Sequence, residues 1–148
     1  MTRCARRDSP SGRFGSYPAP PDCAFGTNLL RPACLRALST DAKSRVKQVD
    51  IDQYKKMPAD NHVLIDTRED HEWTAGHAAG ALHLSKGIIE RDIESEVPDK
   101  STTMVLYCGG GFRSALVADA LQKMGYRNAI SLDGGWRAWN AAGLPIEK

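Results

Sequence analysis

The chain has 148 residues, 41% hydrophobic and 26% charged, with a formal net charge of +2. That composition suits one soluble globular domain, and no run approaches the roughly 18–20 apolar residues of a membrane helix. The positive balance belongs to the N-terminal tail: residues 1–45 carry eight Lys/Arg against three Asp/Glu, and residues 46–148 carry twelve against fifteen. The body therefore lacks the basic stripe of a nucleic-acid surface.

Residues 1–44 hold five of the eight prolines, Pro18, Pro20 and Pro21 among them, together with Ser, Gly and Arg, and no apolar period before Leu29. They read as a disordered extension, with the folded domain over 45–148. Within it, Leu29 to Thr40 is apolar, basic and poor in acids, which fits the remnant of an organelle transit peptide. Asp8, Asp22 and the clustered prolines fit an import helix badly, so a nonfunctional extension on a cytoplasmic protein is the leading expectation, and a mitochondrial or other organelle address the alternative.

From Val46 onward, short apolar runs alternate with helical patterns. Val63-Leu64-Ile65 reads as a buried strand ending at Asp66, Ala81–Leu84 as a second, Met104–Tyr107 as a third and Ala129–Leu132 as a fourth. Between the last two, Val117, Ala120, Leu121 and Met124 recur at helical spacing, and Gly125 supplies a stop. Helical segments also fit Ile51–Met57, Glu69–Thr74, Ile88–Glu96 and Trp136–Ala142. Apolar strands separated by helices imply a three-layer α/β domain whose mostly parallel central sheet is flanked by helices.

Cysteine usage isolates one residue. Cys4, Cys23 and Cys34 lie in the tail, and Cys108 stands alone in the body. There is no C-x-x-C pair, and His62, His71, His77 and His83 show no zinc-site spacing, so neither a disulfide framework nor a metal site is expected. Cys108 opens the stretch Cys108-Gly109-Gly110-Gly111-Phe112-Arg113-Ser114, after a strand and before the best helix. That edge of an open α/β sheet is where ligands bind. Three glycines let the backbone curl and turn its N–H groups inward. The helix start and Arg113 add positive charge, and Ser114 is placed to cap the helix. Such surroundings bring a thiol from about 8.5 into the range of roughly 3.5–7.5, making Cys108 a candidate nucleophile.

A cysteine and an arginine around a cradle also describe the cysteine-dependent phosphatases, where five residues separate the pair. Here four intervene, Gly109 to Phe112. The shorter loop suits one extra sulfur atom better than a phosphoryl group.

Three stretches in order give a resemblance to the rhodanese family from about Val49 to the C-terminus: Leu64-Ile65-Asp66-Thr67-Arg68 through Glu72-Trp73 to Gly76–Ala81; the Cys108 loop; and Leu132–Trp139 with Gly143 and Pro145. Ala78-Ala79 departs from the isoleucine-proline common there and is expected to alter a turn only. The resemblance implies a sulfurtransferase that takes sulfur from a donor such as thiosulfate onto Cys108 as a persulfide. The acceptor would be cyanide or a thiol, including a thiol-bearing protein, with no cofactor. Arg113 would recruit the anionic donor or anchor the loop. A sulfur-relay or regulatory binding module is the alternative, and a phosphatase or arsenate reductase the less favoured one. Asp66 either orients the loop or a water, or else caps a helix or forms an ion pair. Arg68 and Glu72, four apart, are expected to pair. His77 is expected to fix a turn, Trp136 and Trp139 to pack on the last helix, and Phe112 to shape the entrance.

Overall fold

The computed structural model describes residues 35–148. The elements are α1 (Leu35–Arg45), β1 (Lys47–Val49), α2 (Ile51–Lys55), β2 (Val63–Asp66), α3 (Asp70–Ala75), β3 (His77–Ala78), β4 (Leu82–His83), α4 (Ile89–Glu96), β5 (Met104–Tyr107), α5 (Arg113–Lys123), β6 (Ala129–Leu132), α6 (Gly135–Ala141) and β7 (Ile146–Glu147). The expected boundary at residue 45 moves toward the N-terminus. Residues 35–44 are helical, not part of an unstructured tail, and Ser39 and Ala42 of α1 are buried against the domain. The readings on residues 1–34, Cys4, Cys23 and Cys34 included, lie outside the described residues.

Five strands form one parallel sheet in the order β1-β6-β5-β2-β4, and β3 and β7 pair antiparallel in a separate small sheet. All four expected strands are present, and the central pair β5 and β2 runs in register from Val63 opposite Met104 to Asp66 opposite Tyr107. The period of two along β5 divides the core. Met104 and Leu106 face a layer with Ala42 and Val46, with Ile89 and Ile93 of α4, and with Ala115, Ala118 and Leu121 of α5. Val105 and Tyr107 face the opposite layer, with Val49, Leu64, Leu132, Trp139 and the half-buried Tyr54 of α2 and Trp136 of α6. Both faces of the sheet are thus covered, which is why β5 and β6 are buried at every position. Each such large side chain contributes roughly 1.5–3 kcal/mol.

The acidic run Glu90–Glu96 is exposed along α4 except where Ile93 turns inward and Asp92 is half-covered. Because all five main strands point the same way, their carboxyl ends collect Asp66, His83, Tyr107 and Leu132 at one edge. Cys108 follows β5 directly at that edge.

Candidate active site

Cys108 is 1% exposed, and its sulfur lies inside a ring of donors. The Gly111 N–H donates to Sγ at 3.2 Å, and the Ser114 hydroxyl donates to it at 3.7 Å. The backbone N–H groups of Gly110 and Ser114 also face the sulfur. Burial alone pushes the thiol up, but these donors outweigh it and leave the thiol below its ordinary range. Ser114 does not cap the helix as expected. It is the second residue of α5, fully buried, with its hydroxyl between Cys108 Sγ and the Ser131 hydroxyl at 2.9 Å. The helix begins two residues earlier than a cap at Ser114 would allow, so Phe112 occupies the cap position and no side chain caps the helix.

Ser114→Ala removes one donor to the thiolate and leaves the amides in place. The midpoint of Cys108 alkylation against pH is expected to move upward, and the rate at pH 7 to fall several-fold, because less of the thiol is ionised there. A pH series of iodoacetamide labelling reads this directly, and an unmoved midpoint would remove the hydroxyl from the ring.

Arg113 does not stand free beside the sulfur. Its guanidinium makes a two-pronged bond to Glu72, Nη1 to Oε2 at 2.7 Å and Nη2 to Oε1 at 3.0 Å. Glu72 is itself fixed at the start of α3, where Oε2 accepts the Glu69 N–H at 3.2 Å. The Arg113 guanidinium holds the Glu72 carboxyl below the usual carboxylate range. The expected Arg68–Glu72 pair is thus replaced. Arg68 precedes α3, so helical spacing does not relate the two residues.

Arg68 turns to Asp66 instead, with Nη2 to Oδ2 at 2.6 Å and Nε equidistant from both oxygens at 3.0 Å. Asp66 is fully buried, takes the ion-pairing role among its sequence readings, and also accepts the Tyr107 hydroxyl at 2.6 Å. Burial pushes that phenol well above its ordinary range, with the bond to Asp66 adding to it. The guanidinium of Arg68 lies 4.4 Å from the Trp136 ring and donates to the Gly76 carbonyl at 2.8 Å. This network braces the ends of β2 and β5 under the loop. It does not touch the sulfur.

The loop is propped from the other side by α6. The Trp136 N–H donates to the Cys108 carbonyl at 2.7 Å, and the Arg137 N–H to the Gly109 carbonyl at 3.2 Å. Gly135 makes that approach possible. Its φ is +50°, and a Cβ there would overlap the Cys108 carbonyl. Sequence reasoning placed Gly134-Gly135 in a signature without assigning this supporting role, and the doubled glycine just before Trp136 was the available signal. Phe112 is 37% exposed at the mouth, with the Lys43 ammonium of α1 at 5.2 Å from its ring. Trp139 is buried, Trp136 half-buried, and His77 donates from Nδ1 to the Trp73 carbonyl at 3.2 Å.

The arrangement can hold an ionised sulfur and a second atom bonded to it, beneath a rim made almost wholly of glycine backbone. The family model for the rhodanese-like domain matches residues 50–142. The thiosulfate sulfurtransferase GlpE of Pseudomonas entomophila is 32% identical over 98 residues, 66% of this chain and 88% of that protein. The protein of the same name from Coxiella burnetii is 35% identical over 79 residues, 53% of this chain and 72% of its own. Among solved structures, a protein of unknown function from Rhodopseudomonas palustris, described as a possible tyrosine phosphatase, superposes with a TM-score of 0.69 at 28% identity, covering 82% of this chain and all (100%) of that one. The polysulfide-sulfur transferase homodimer of Wolinella succinogenes is alike in fold, with a TM-score of 0.63 at 24% identity over 76% of this chain and 85% of that one.

Proposed function

The chain belongs to the rhodanese-like domain family, and from that premise we propose that it is a thiosulfate sulfurtransferase working through a persulfide on Cys108. The observation that carries the reading is the ring of amide and hydroxyl donors that keeps the Cys108 thiol below its ordinary range despite burial. The thiolate attacks the outer sulfur of thiosulfate. A bond forms between Sγ and that sulfur, the bond to the sulfonate sulfur breaks, and sulfite leaves with the electron pair. The donors that face Sγ then face the persulfide, whose negative charge they also stabilise. Cyanide or a thiol, on a small molecule or a protein, attacks the terminal sulfur and frees the Cys108 thiolate. Sulfur oxidation states balance within the two substrates, so the exchange calls for no cofactor.

Arg113 anchors the loop in this scheme, because its guanidinium makes a two-pronged bond to Glu72. The four-residue spacing between Cys108 and Arg113 narrows the cradle and weighs against a phosphatase. We place the protein in the cytoplasm, where a lone thiol stays reduced.

Intact mass gives the test. Thiosulfate is expected to add the mass of one sulfur atom, cyanide to remove it, and prior blocking of Cys108 with iodoacetamide to prevent it. Hydrolysis of an aryl phosphate is expected to stay at background. Uptake by the blocked protein, or phosphate release that depends on Cys108, would sink the proposal.

A further inference from the structure

Four cationic side chains stand around the loop and its supports, and three are neutralised. Arg68 is paired with Asp66, Arg113 with Glu72, and Lys43 with Asp133 at 2.7 Å. Arg137 is exposed and has no salt-bridge partner among the described residues. It is nonetheless tied to the site, since its own N–H donates to the Gly109 carbonyl at 3.2 Å.

Its guanidinium lies over Gly110. A Cβ built on Gly110 would stand 3.7 Å from Arg137 Nη1 and 3.8 Å from Phe112 Cε2, which is ordinary contact. Gly110 is also absent from the glycines with positive φ. Neither backbone conformation nor crowding therefore demands glycine here. What the missing side chain leaves is a notch between a free cation and an aromatic edge, floored by bare Gly110 backbone. The same residue's N–H faces Cys108 Sγ.

We propose that this notch is the subsite for the anionic head of the sulfur donor, the sulfonate end of thiosulfate, with Arg137 as its receptor. The assignment rests on the sulfurtransferase reading and extends it to a residue outside the loop. A donor whose outer sulfur meets Sγ extends its sulfonate toward the Gly110 edge. The guanidinium there holds the charge that departs as sulfite. Donors without an anionic head gain nothing from Arg137, so it sets preference among donors.

The test uses the full-length chain and two alkylating reagents of similar size. Iodoacetate carries a negative charge and iodoacetamide none, and labelling is followed on the Cys108 peptide by mass spectrometry. Arg137→Gln is expected to slow iodoacetate about tenfold and to leave iodoacetamide within about twofold. Arg137→Lys should recover part of the loss. Gly110→Ala, which fills the notch without straining the backbone, should also slow iodoacetate more than iodoacetamide. With thiosulfate, kcat/KM of Arg137→Gln should fall about tenfold. Equal slowing of both reagents, or an unchanged iodoacetate rate, overturns the subsite. If the wild-type protein takes no sulfur from thiosulfate while the anion selectivity still depends on Arg137, the subsite stands and the thiosulfate reading falls. If sulfur uptake is normal and Arg137→Gln changes neither measure, the subsite alone falls.

Discussion

Gly135→Ala is expected to lower the melting temperature by roughly 10–15 °C and sulfur transfer by about a hundredfold. The backbone at this position has a φ of +50°, which an alanine adopts at a cost of about 1–2 kcal/mol. The larger part is steric, because the new Cβ would overlap the Cys108 carbonyl. Relief requires α6 to back away, stretching the Trp136-to-Cys108 and Arg137-to-Gly109 hydrogen bonds that hold the loop from below. The total comes to about 3–4 kcal/mol. Gly143→Ala separates the two contributions. Gly143 has a φ of +64°, yet a Cβ there meets nothing within 4 Å, so it should show the conformational cost alone and full activity. Thermal melts of the two variants, with thiosulfate kinetics alongside, make the comparison. Equal losses in both would mean that the Cys108 carbonyl does not police the position.

Asp66→Ala should cost about 3–5 kcal/mol of stability, read as a shift in the urea midpoint. Asp66 is fully buried and Arg68 is 3% exposed, so deleting the carboxylate strands a guanidinium in the interior. The Tyr107 hydroxyl loses its acceptor in the same step. The double variant Asp66→Ala/Arg68→Met removes the stranded charge and should recover a large part of the loss. A double variant no more stable than the single one would show that the cost lies elsewhere, in packing around Tyr107.

Local chemistry was readable in the sequence, and distant partnerships were not. Four of the five strands of the main sheet follow from apolar runs with turns at their ends, and the Cys108 loop from its place after one of them. The two-residue strands β3 and β7 are too short to carry a period, and their pairing joins His77 to Glu147 across the length of the domain. Charge partners failed for the same reason. Helical spacing suggested Arg68 with Glu72, but the chain turns between them, and Glu72 meets an arginine 41 residues away. Ser114 was misplaced because a glycine loop does not mark to within two residues where it ends and the helix begins. Lys43 and Arg137 passed unnoticed because neither lies near Cys108 in sequence. Only the order of the strands and the docking of α6 bring them to the mouth.

The parallel pairing of β1 with β6 has a practical meaning. The span matching the family begins at residue 50, whereas β1 ends at Val49, and α1 is fastened to α5 by Arg45 on Asp119 at 2.9 Å. A chain trimmed to the family span would bare the flank of Ala129-Ile130-Ser131-Leu132, a flat apolar rim with unpaired amides and carbonyls. Rims of that kind recruit other chains. The smallest well-behaved fragment of this protein therefore starts upstream of the recognisable motif, at the first turn of α1.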